Sequence, residues 1–247
     1  MPFLHRLRRF VQNAALPTLL PCACALCRQT GPQALCQACR ARYFTLQPAR
    51  CRQCGLPLPP SAAAAHCGDC LQNPPAFDYT VVACDYAAPQ DQLVLALKFG
   101  HQLALAPLFA VMLRDAILLQ PRSALPELLC VVPLGPQRLA QRGFNQALEI
   151  ARPLSRQLGV PLQATLLQRC RETAQQSSLH PDARLRNVRH AFLPDTAALE
   201  QIRGAHLGVV DDVMTTGLTL HEIATILKRF GAAKITNYVF ARTPPHL

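Results

Sequence analysis

The sequence predicts an α/β fold, a mainly parallel sheet with helices on both faces, preceded by a small module held together by metal. Three observations carry this. Beyond residue 75, apolar runs of strand length alternate with stretches of helical periodicity. Eight of the twelve cysteines fall into four Cys-x-x-Cys pairs, all before residue 71. The texture changes at Pro74-Pro75, where the cysteine pairs stop. A length of 247 residues suits one α/β domain with a smaller appended module. Half the residues are apolar and 16% are charged, which excludes a disordered chain. The expected organisation is an N-terminal helix over residues 1–21, a cysteine module over 22–74 and the α/β domain over 75–247.

In residues 1–21, Phe3, Leu4, Leu7, Phe10, Val11 and Ala14 recur at helical spacing with Arg6, Arg8 and Arg9 on the polar side. This predicts a short amphipathic helix packed on the body, with a membrane surface as the alternative. It lacks the continuous apolar stretch and small-residue cleavage site of a signal peptide. The longest apolar run elsewhere, residues 103–113, is too short to span a bilayer. A soluble, cytoplasmic protein without a transmembrane segment is expected.

The cysteine pairs are Cys24/Cys27, Cys36/Cys39, Cys51/Cys54 and Cys67/Cys70. A Cys-x-x-Cys turn aims two thiolates at one ion, and two turns supply the four sulfurs of tetrahedral zinc, so four pairs imply two structural zinc ions. A disulfide framework needs an oxidising compartment, and the absent export signal argues against it. Consecutive pairing keeps the loops short and is the expectation, although an interleaved cross-brace uses the same eight ligands. In Cys51-Arg-Gln-Cys54-Gly55, Gly55 can take the left-handed conformation that lets backbone amides point at sulfur. Cys22 competes with Cys24 for the first site. Cys84 and Cys130 fall in apolar strands as inert core thiols, Cys170 falls in a polar loop, and none has the surroundings of a nucleophile. So short a segment has too few large apolar residues for a core of its own, so metal must hold it together.

The net charge is +11, and only Lys98, Lys228 and Lys234 are lysines. Arginine forks pair with phosphate, which suits a phosphorylated ligand or a nucleic acid backbone, though Arg-leaning codon usage gives the same excess. Within the cysteine module Arg28, Arg40, Arg42, Arg50 and Arg52 give a basic docking character.

In the α/β region, residues 80–86 read as a strand, followed by a helix through Leu93 and Leu97 and another from Pro107 to about Leu119. Residues 128–134 form the second strand. Phe144, Ala147, Leu148, Ala151, Leu154 and Leu158 give the next helix its apolar face, with Pro153 expected to bend it. Residues 206–210 form a strand entering Asp211-Asp212. Leu220, Ile223, Ala224, Leu227 and Phe230 line the helix after it, Gly231 ends that helix, and residues 235–241 are the last strand. Such sheets bind ligands beyond the carboxyl ends of their strands, which is where Asp211 stands.

Residues 209–219 read Val-Val-Asp-Asp-Val-Met-Thr-Thr-Gly-Leu-Thr. The strand delivers two carboxylates that can accept hydrogen bonds from the vicinal hydroxyls of a ribose or hold Mg²⁺. Thr215, Thr216, Gly217 and Thr219 then wrap the start of a helix, where amides and hydroxyls meet a phosphate in the field of the helix dipole. This segment resembles the phosphoribosyl-diphosphate (PRPP) signature of type I phosphoribosyltransferases. The resemblance implies a Rossmann-like core, Mg²⁺ with PRPP, Asp211 and Asp212 on the ribose hydroxyls, and Thr215, Thr216, Gly217 and Thr219 on the 5′-phosphate. Residues 131–146 run Val-Val-Pro-Leu-Gly-Pro-Gln-Arg-Leu-Ala-Gln-Arg-Gly-Phe-Asn-Gln, a strand entering a basic loop and then a helix. This position is similar to the loop that receives pyrophosphate in type I domains, so Arg138 and Arg142 would neutralise that group and Gly143 would leave room for its oxygens. The basic segment 169–187, with Arg169, Arg171, Gln175, Arg184 and Arg186, is either a hood over the ligand or a solvated loop.

The cysteine module, Leu97-Lys98-Phe99, Arg142-Gly143-Phe144-Asn145-Gln146 and the acidic threonine loop, in that order, resemble the ComF family, including its GntX-like members. That resemblance implies a role in DNA uptake during competence or in the use of DNA as a nutrient, with the DNA-uptake machinery as partner. Three activities follow as candidates: an Mg-dependent phosphoribosyltransferase releasing pyrophosphate from C1′, a protein that contacts single-stranded DNA and keeps the pocket for sensing, and a scaffold for protein partners. The acceptor carries no motif in the sequence.

Overall fold

The computed structural model describes residues 22–44, 48–59, 65–120, 124–170 and 191–244. The helix expected in residues 1–21 and all of the basic segment beyond Cys170 lie outside these. The chain divides into two compact units, Met1–Gln47 and Pro48–Leu247.

The first unit holds a two-stranded antiparallel ribbon, β1 (Cys22–Ala23) with β2 (Thr30–Gly31), and helix α1 (Gln37–Tyr43). Cys36 caps α1, its sulfur accepting from the Cys39 amide. Apart from Cys24 and Cys39, the one buried apolar side chain among its described residues is Leu35, so packing alone cannot hold this unit.

The second unit begins with the Cys51-to-Cys70 segment, which ends in the short helix α2 (Gly68–Gln72), and continues into the α/β body. Strand β3 (Tyr79–Asp85) is followed by helices α3 (Gln90–Lys98) and α4 (Leu105–Leu118) and strand β4 (Leu128–Val131). Helices α5 (Pro136–Arg142) and α6 (Gln146–Leu158) come next, then β5 (Leu167–Arg169) and β6 (Phe192–Pro194), which pair antiparallel. The short helix α7 (Leu199–Ile202) precedes β7 (His206–Met214), α8 (Leu218–Arg229) and β8 (Lys234–Arg242). The sheet runs β3-β8-β7-β4 with every neighbour parallel.

Side chains alternate across this sheet, as the two-residue period of a strand requires. On one face Leu207, Val209, Ile235 and Val239 pack with Leu220, Ile223, Ala224 and Leu227 of α8 and with Phe192 of β6. On the other, Phe240 stacks on Phe109 of α4 with ring centroids 3.6 Å apart. Between them β8 is nearly solvent-free, and β7 is buried from Leu207 to Val210, as expected of strands covered on both sides.

Strands β3 and β8 differ by a residue at their ends from those the sequence suggests, and three larger differences have a physical cause. Strand β4 stops at Val131 because the prolines at 133 and 136 cannot donate to a ladder. Helix α4 begins two residues before Pro107, which is tolerated because the first-turn amides have no intrahelical acceptor. Strand β7 runs through Asp211 and Asp212 to Met214, since β8 continues to Arg242 and pairs Asp211 with Val239 and Met214 with Arg242.

Candidate functional site

In the first unit Cys24, Cys27, Cys36 and Cys39 converge, and in the second Cys51, Cys54, Cys67 and Cys70 do, each set with all four sulfurs within 4.8 Å of one another. The Cys27 and Cys36 sulfurs are 3.7 Å apart and those of Cys54 and Cys67 3.6 Å. Zinc–sulfur bonds of about 2.3 Å in a tetrahedron put the sulfurs about 3.8 Å apart, so both quartets have the dimensions of a four-cysteine zinc site. Backbone amides support them: Cys36 N–H donates to the Cys24 sulfur at 3.4 Å, and Cys67 N–H to the Cys51 sulfur at 3.3 Å. Burial and the neighbouring sulfurs push the Cys39 thiol up to about 12, whereas the amides of Cys36, Cys27 and Leu26 outweigh burial and bring Cys24 down to about 6. Four thiolates this close need a cation among them. Cys22 stays outside the first quartet. Burial raises Cys84 and Cys130 to about 12, the state of inert core thiols, while Cys170 is exposed.

The second quartet is fastened to the edge strand β3. Thr80 N–H donates to the Arg52 carbonyl at 2.9 Å, and the Thr80 hydroxyl to the Gln53 carbonyl at 2.6 Å. Arg50 pairs with Asp85 at 2.8 Å and also donates to the Gly55 carbonyl. Gly55 has φ +71°, and a Cβ there would lie 2.5 Å from a Val82 methyl, so the knuckle can approach the sheet only with glycine.

A cavity of about 820 Å³ opens at the carboxyl ends of β4 and β7. Asp211, Asp212, Thr215, Thr216 and Thr219 line it, as do Arg138, Arg142 and Arg169. Asp212 is 8% exposed and holds the Lys98 ammonium at 2.7 Å, while one Asp211 oxygen accepts from the Asp212 amide at 2.9 Å. Burial, then the neighbouring Asp212 charge, raises Asp211 well above the usual carboxylate range, against the opposing pull of Lys98. Gly217, at φ +84°, caps the N-terminus of α8. It lies not on this cavity but on an adjoining one of about 540 Å³, shared with Thr216, Cys54 and Cys70.

The basic loop expected within residues 131–146 is in part a helix. Gly135 and Pro136 open α5 and Gly143, at φ +77°, closes it, which are the residue types helix ends favour. Arg138 and Arg142 therefore reach the cavity from a helix, while Gly143 does not line it. Arg142 lies over the Phe99 ring, 5.2 Å from its centroid. Burial lowers its proton affinity, as does Arg138, and Asp212 opposes both. Asn145 joins the two halves of this wall: its side chain accepts from Ala147 N–H at 3.0 Å and donates to the Val132 carbonyl at 3.0 Å.

The sequence does not single out two charged residues as members of the site. Lys98 ends α3 and meets Asp212 from 114 residues away; the motif Leu97-Lys98-Phe99 was the available signal. Arg242 ends β8 and reaches both the Cys54 carbonyl, at 3.0 Å, and that of Met214, at 3.0 Å. Burial lowers its proton affinity, and the sulfurs of Cys54, Cys67 and Cys70 act against that. Among the described residues, no helix is long and apolar enough to cross a membrane.

Comparison with known proteins matches residues 15–71 to a double zinc ribbon domain and residues 145–246 to a phosphoribosyl transferase domain. The chain is 38% identical to the DNA utilization protein YhgH of Salmonella typhimurium over 236 residues, 91% of this chain and 98% of that one. It is 36% identical to YhgH of Escherichia coli K12, with the same coverage. It is 32% identical to Competence protein F of Haemophilus influenzae, over 89% of this chain and 96% of the other. Among solved structures, the glutamine PRPP amidotransferase of B. subtilis is similar at 18% identity and TM-score 0.37, covering 56% of this chain and 26% of that one. A purine phosphoribosyltransferase from Pyrococcus horikoshii is similar at 20% identity and TM-score 0.30, covering 58% and 84%.

Proposed function

Because the chain belongs to the ComF family, we propose that its cavity binds PRPP with Mg²⁺ and that the protein serves DNA uptake or utilisation in the cytoplasm. The single observation that carries this is the convergence on one cavity of two strand-borne carboxylates, a threonine turn at a helix start and two arginines from a second element. On this reading Asp211 and Asp212 accept hydrogen bonds from the ribose hydroxyls. Thr215, Thr216 and Thr219 hold the 5′-phosphate in the field of α8, with Gly217 shaping the turn between them. Arg138 and Arg142 balance the charge of the diphosphate, with Gly143 freeing the chain behind them and Lys98 fixing the Asp212 carboxylate. Mg²⁺ would supply charge neutralisation of the diphosphate, and the hard oxygens of the acid pair suit it. Bound in this way, C1′ is set for attack by a nucleophile with pyrophosphate leaving, the protein contributing position and charge. The eight paired cysteines hold two structural zinc ions, four thiolates to each.

Crystals grown with PRPP and Mg²⁺ test the reading. Density for the 5′-phosphate against residues 215–219 and for the diphosphate beside Arg138 and Arg142 is the expected result. A ligand bound elsewhere, or a cavity closed against it at saturating PRPP, overturns it.

A second reading, contact with single-stranded DNA, is favoured by the net charge of +11 and by the exposure of Arg28, Arg40, Arg42 and Arg52. It requires affinity that falls steeply with salt, because phosphate neutralisation releases counterions. Failure to bind an oligonucleotide at low salt removes it.

A further inference from the structure

Arg242 lines the proposed ligand cavity, yet the contacts its guanidinium makes are left unexplained by the ligand chemistry. It is 4% exposed, at the last residue of β8. Its guanidinium donates to four backbone carbonyls: Cys54 at 3.0 Å, Met214 at 3.0 Å, Thr243 at 2.9 Å and Thr215. Among the described residues it pairs with no carboxylate. Carbonyl dipoles satisfy the hydrogen-bonding capacity of a buried cation but not its net charge, and a buried charge without a counter-charge is not retained cheaply. The second quartet is a source of negative charge that acts on this guanidinium, through Cys54, Cys67 and Cys70, because four thiolates around one divalent zinc carry a net charge of minus two. Cys54 is both a member of that quartet and the residue whose carbonyl the guanidinium holds. Two of the other three carbonyls, of Met214 and Thr215, belong to the segment from which the threonine turn departs. Cys54, Cys70, Thr216, Gly217 and Arg242 all face the same cavity.

We propose that Arg242 is a positioning residue that couples the second metal site to the threonine turn: the metal-bound thiolates supply the counter-charge that keeps the guanidinium buried, and the guanidinium fixes the start of the turn. An arginine is required because one planar fork must reach carbonyls on two sides at once, which a lysine ammonium on a flexible stem cannot do with the same geometry. The consequence is reciprocal, as any coupling between two sites must be. Metal in the second quartet orders the turn, and the intact turn with its arginine slows metal loss. The consequence for ligand affinity rests on the PRPP reading; the coupling itself does not.

The test uses the full, zinc-loaded chain and its Arg242→Met, Arg242→Lys and Cys70→Ser variants, with Arg203→Met as a control that removes one exposed positive charge. Two readouts need no ligand: hydrogen exchange at the amides of residues 215–218, and the rate of zinc release to a chromogenic chelator. Arg242→Met should speed both by about tenfold, the scale of a coupling between linked sites. Cys70→Ser should speed exchange at the turn by a similar factor. Arg242→Lys should fall between Arg242→Met and wild type, and Arg203→Met should match wild type. Should Cys70→Ser fail to fold, Arg242→Met still decides, since it keeps all eight paired cysteines. Unchanged exchange at the turn in Arg242→Met, or unchanged zinc release, overturns the coupling. A third readout, PRPP affinity by calorimetry, separates the two claims. If wild type binds no PRPP while exchange and zinc release respond as expected, the ligand reading falls and the coupling stands.

Discussion

Asp211 shows at one residue how a binding function opposes stability. Its folded-state proton affinity is raised by burial and by Asp212, so the folded form favours the protonated acid. The associated stability is complete below the ordinary carboxylate range and is lost as pH rises through the raised value. At neutral pH this difference between the folded and unfolded forms is therefore a cost to stability. Asp211→Asn keeps an acceptor for the Asp212 amide and removes that cost. Its melting temperature should exceed that of wild type at pH 7 and converge with it below the ordinary carboxylate range, while PRPP binding weakens; a lower melting temperature at pH 7 contradicts this. Gly217 makes the complementary case. At φ +84°, with a Met214 methyl 2.5 Å from where a Cβ would stand, Gly217→Ala should cost about 1–2 kcal/mol in denaturant unfolding and weaken PRPP binding. The acid pair and the threonine turn are adjacent in sequence, so local chemistry makes them legible there. Lys98 meeting Asp212 across 114 residues and Arg242 meeting Cys54 across 188 are tertiary facts, and no local pattern encodes them.

Among the elements, hydrophobic periodicity locates strands and helices well because the sheet is covered on both faces and each covering helix must show an apolar stripe. The boundaries were less legible, since they depend on partners: β7 extends to Met214 only because β8 extends to Arg242. Helix α5 illustrates a different limit. Its seven residues have no buried side chain and hence no periodicity to read, although Gly135, Pro136 and Gly143 mark its ends. Asn145 then links the start of α6 to the loop after β4. Asn145→Ala should cost about 1 kcal/mol as a lost helix cap and should also loosen Val132, whose carbonyl loses its donor. Thermal unfolding together with hydrogen exchange across residues 132–135 checks this, and a stability loss with unchanged exchange limits Asn145 to capping.

At the scale of the molecule, the two cysteine quartets divide between the two compact units. Spacing makes the eight ligands legible, because Cys-x-x-Cys turns carry their geometry locally. That the second quartet folds with the α/β body is not written in the spacing; it follows from Thr80, Arg50 and the close approach at Gly55. Atomic emission should find two zinc ions per chain, and strong chelation should unfold the first unit, whose core is too small to persist without metal. Fewer than two ions in protein purified without chelator contradicts the assignment.

The most direct test of the whole account is titration calorimetry with PRPP and Mg²⁺, comparing wild type with the Asp211→Asn, Asp212→Asn double variant. Loss of the two carboxyl groups that receive the ribose hydroxyls should weaken binding by about a hundredfold or more. Equal affinity in the two proteins, or no heat from either, would contradict the claim that this acid pair and its threonine turn grip a phosphoribosyl group.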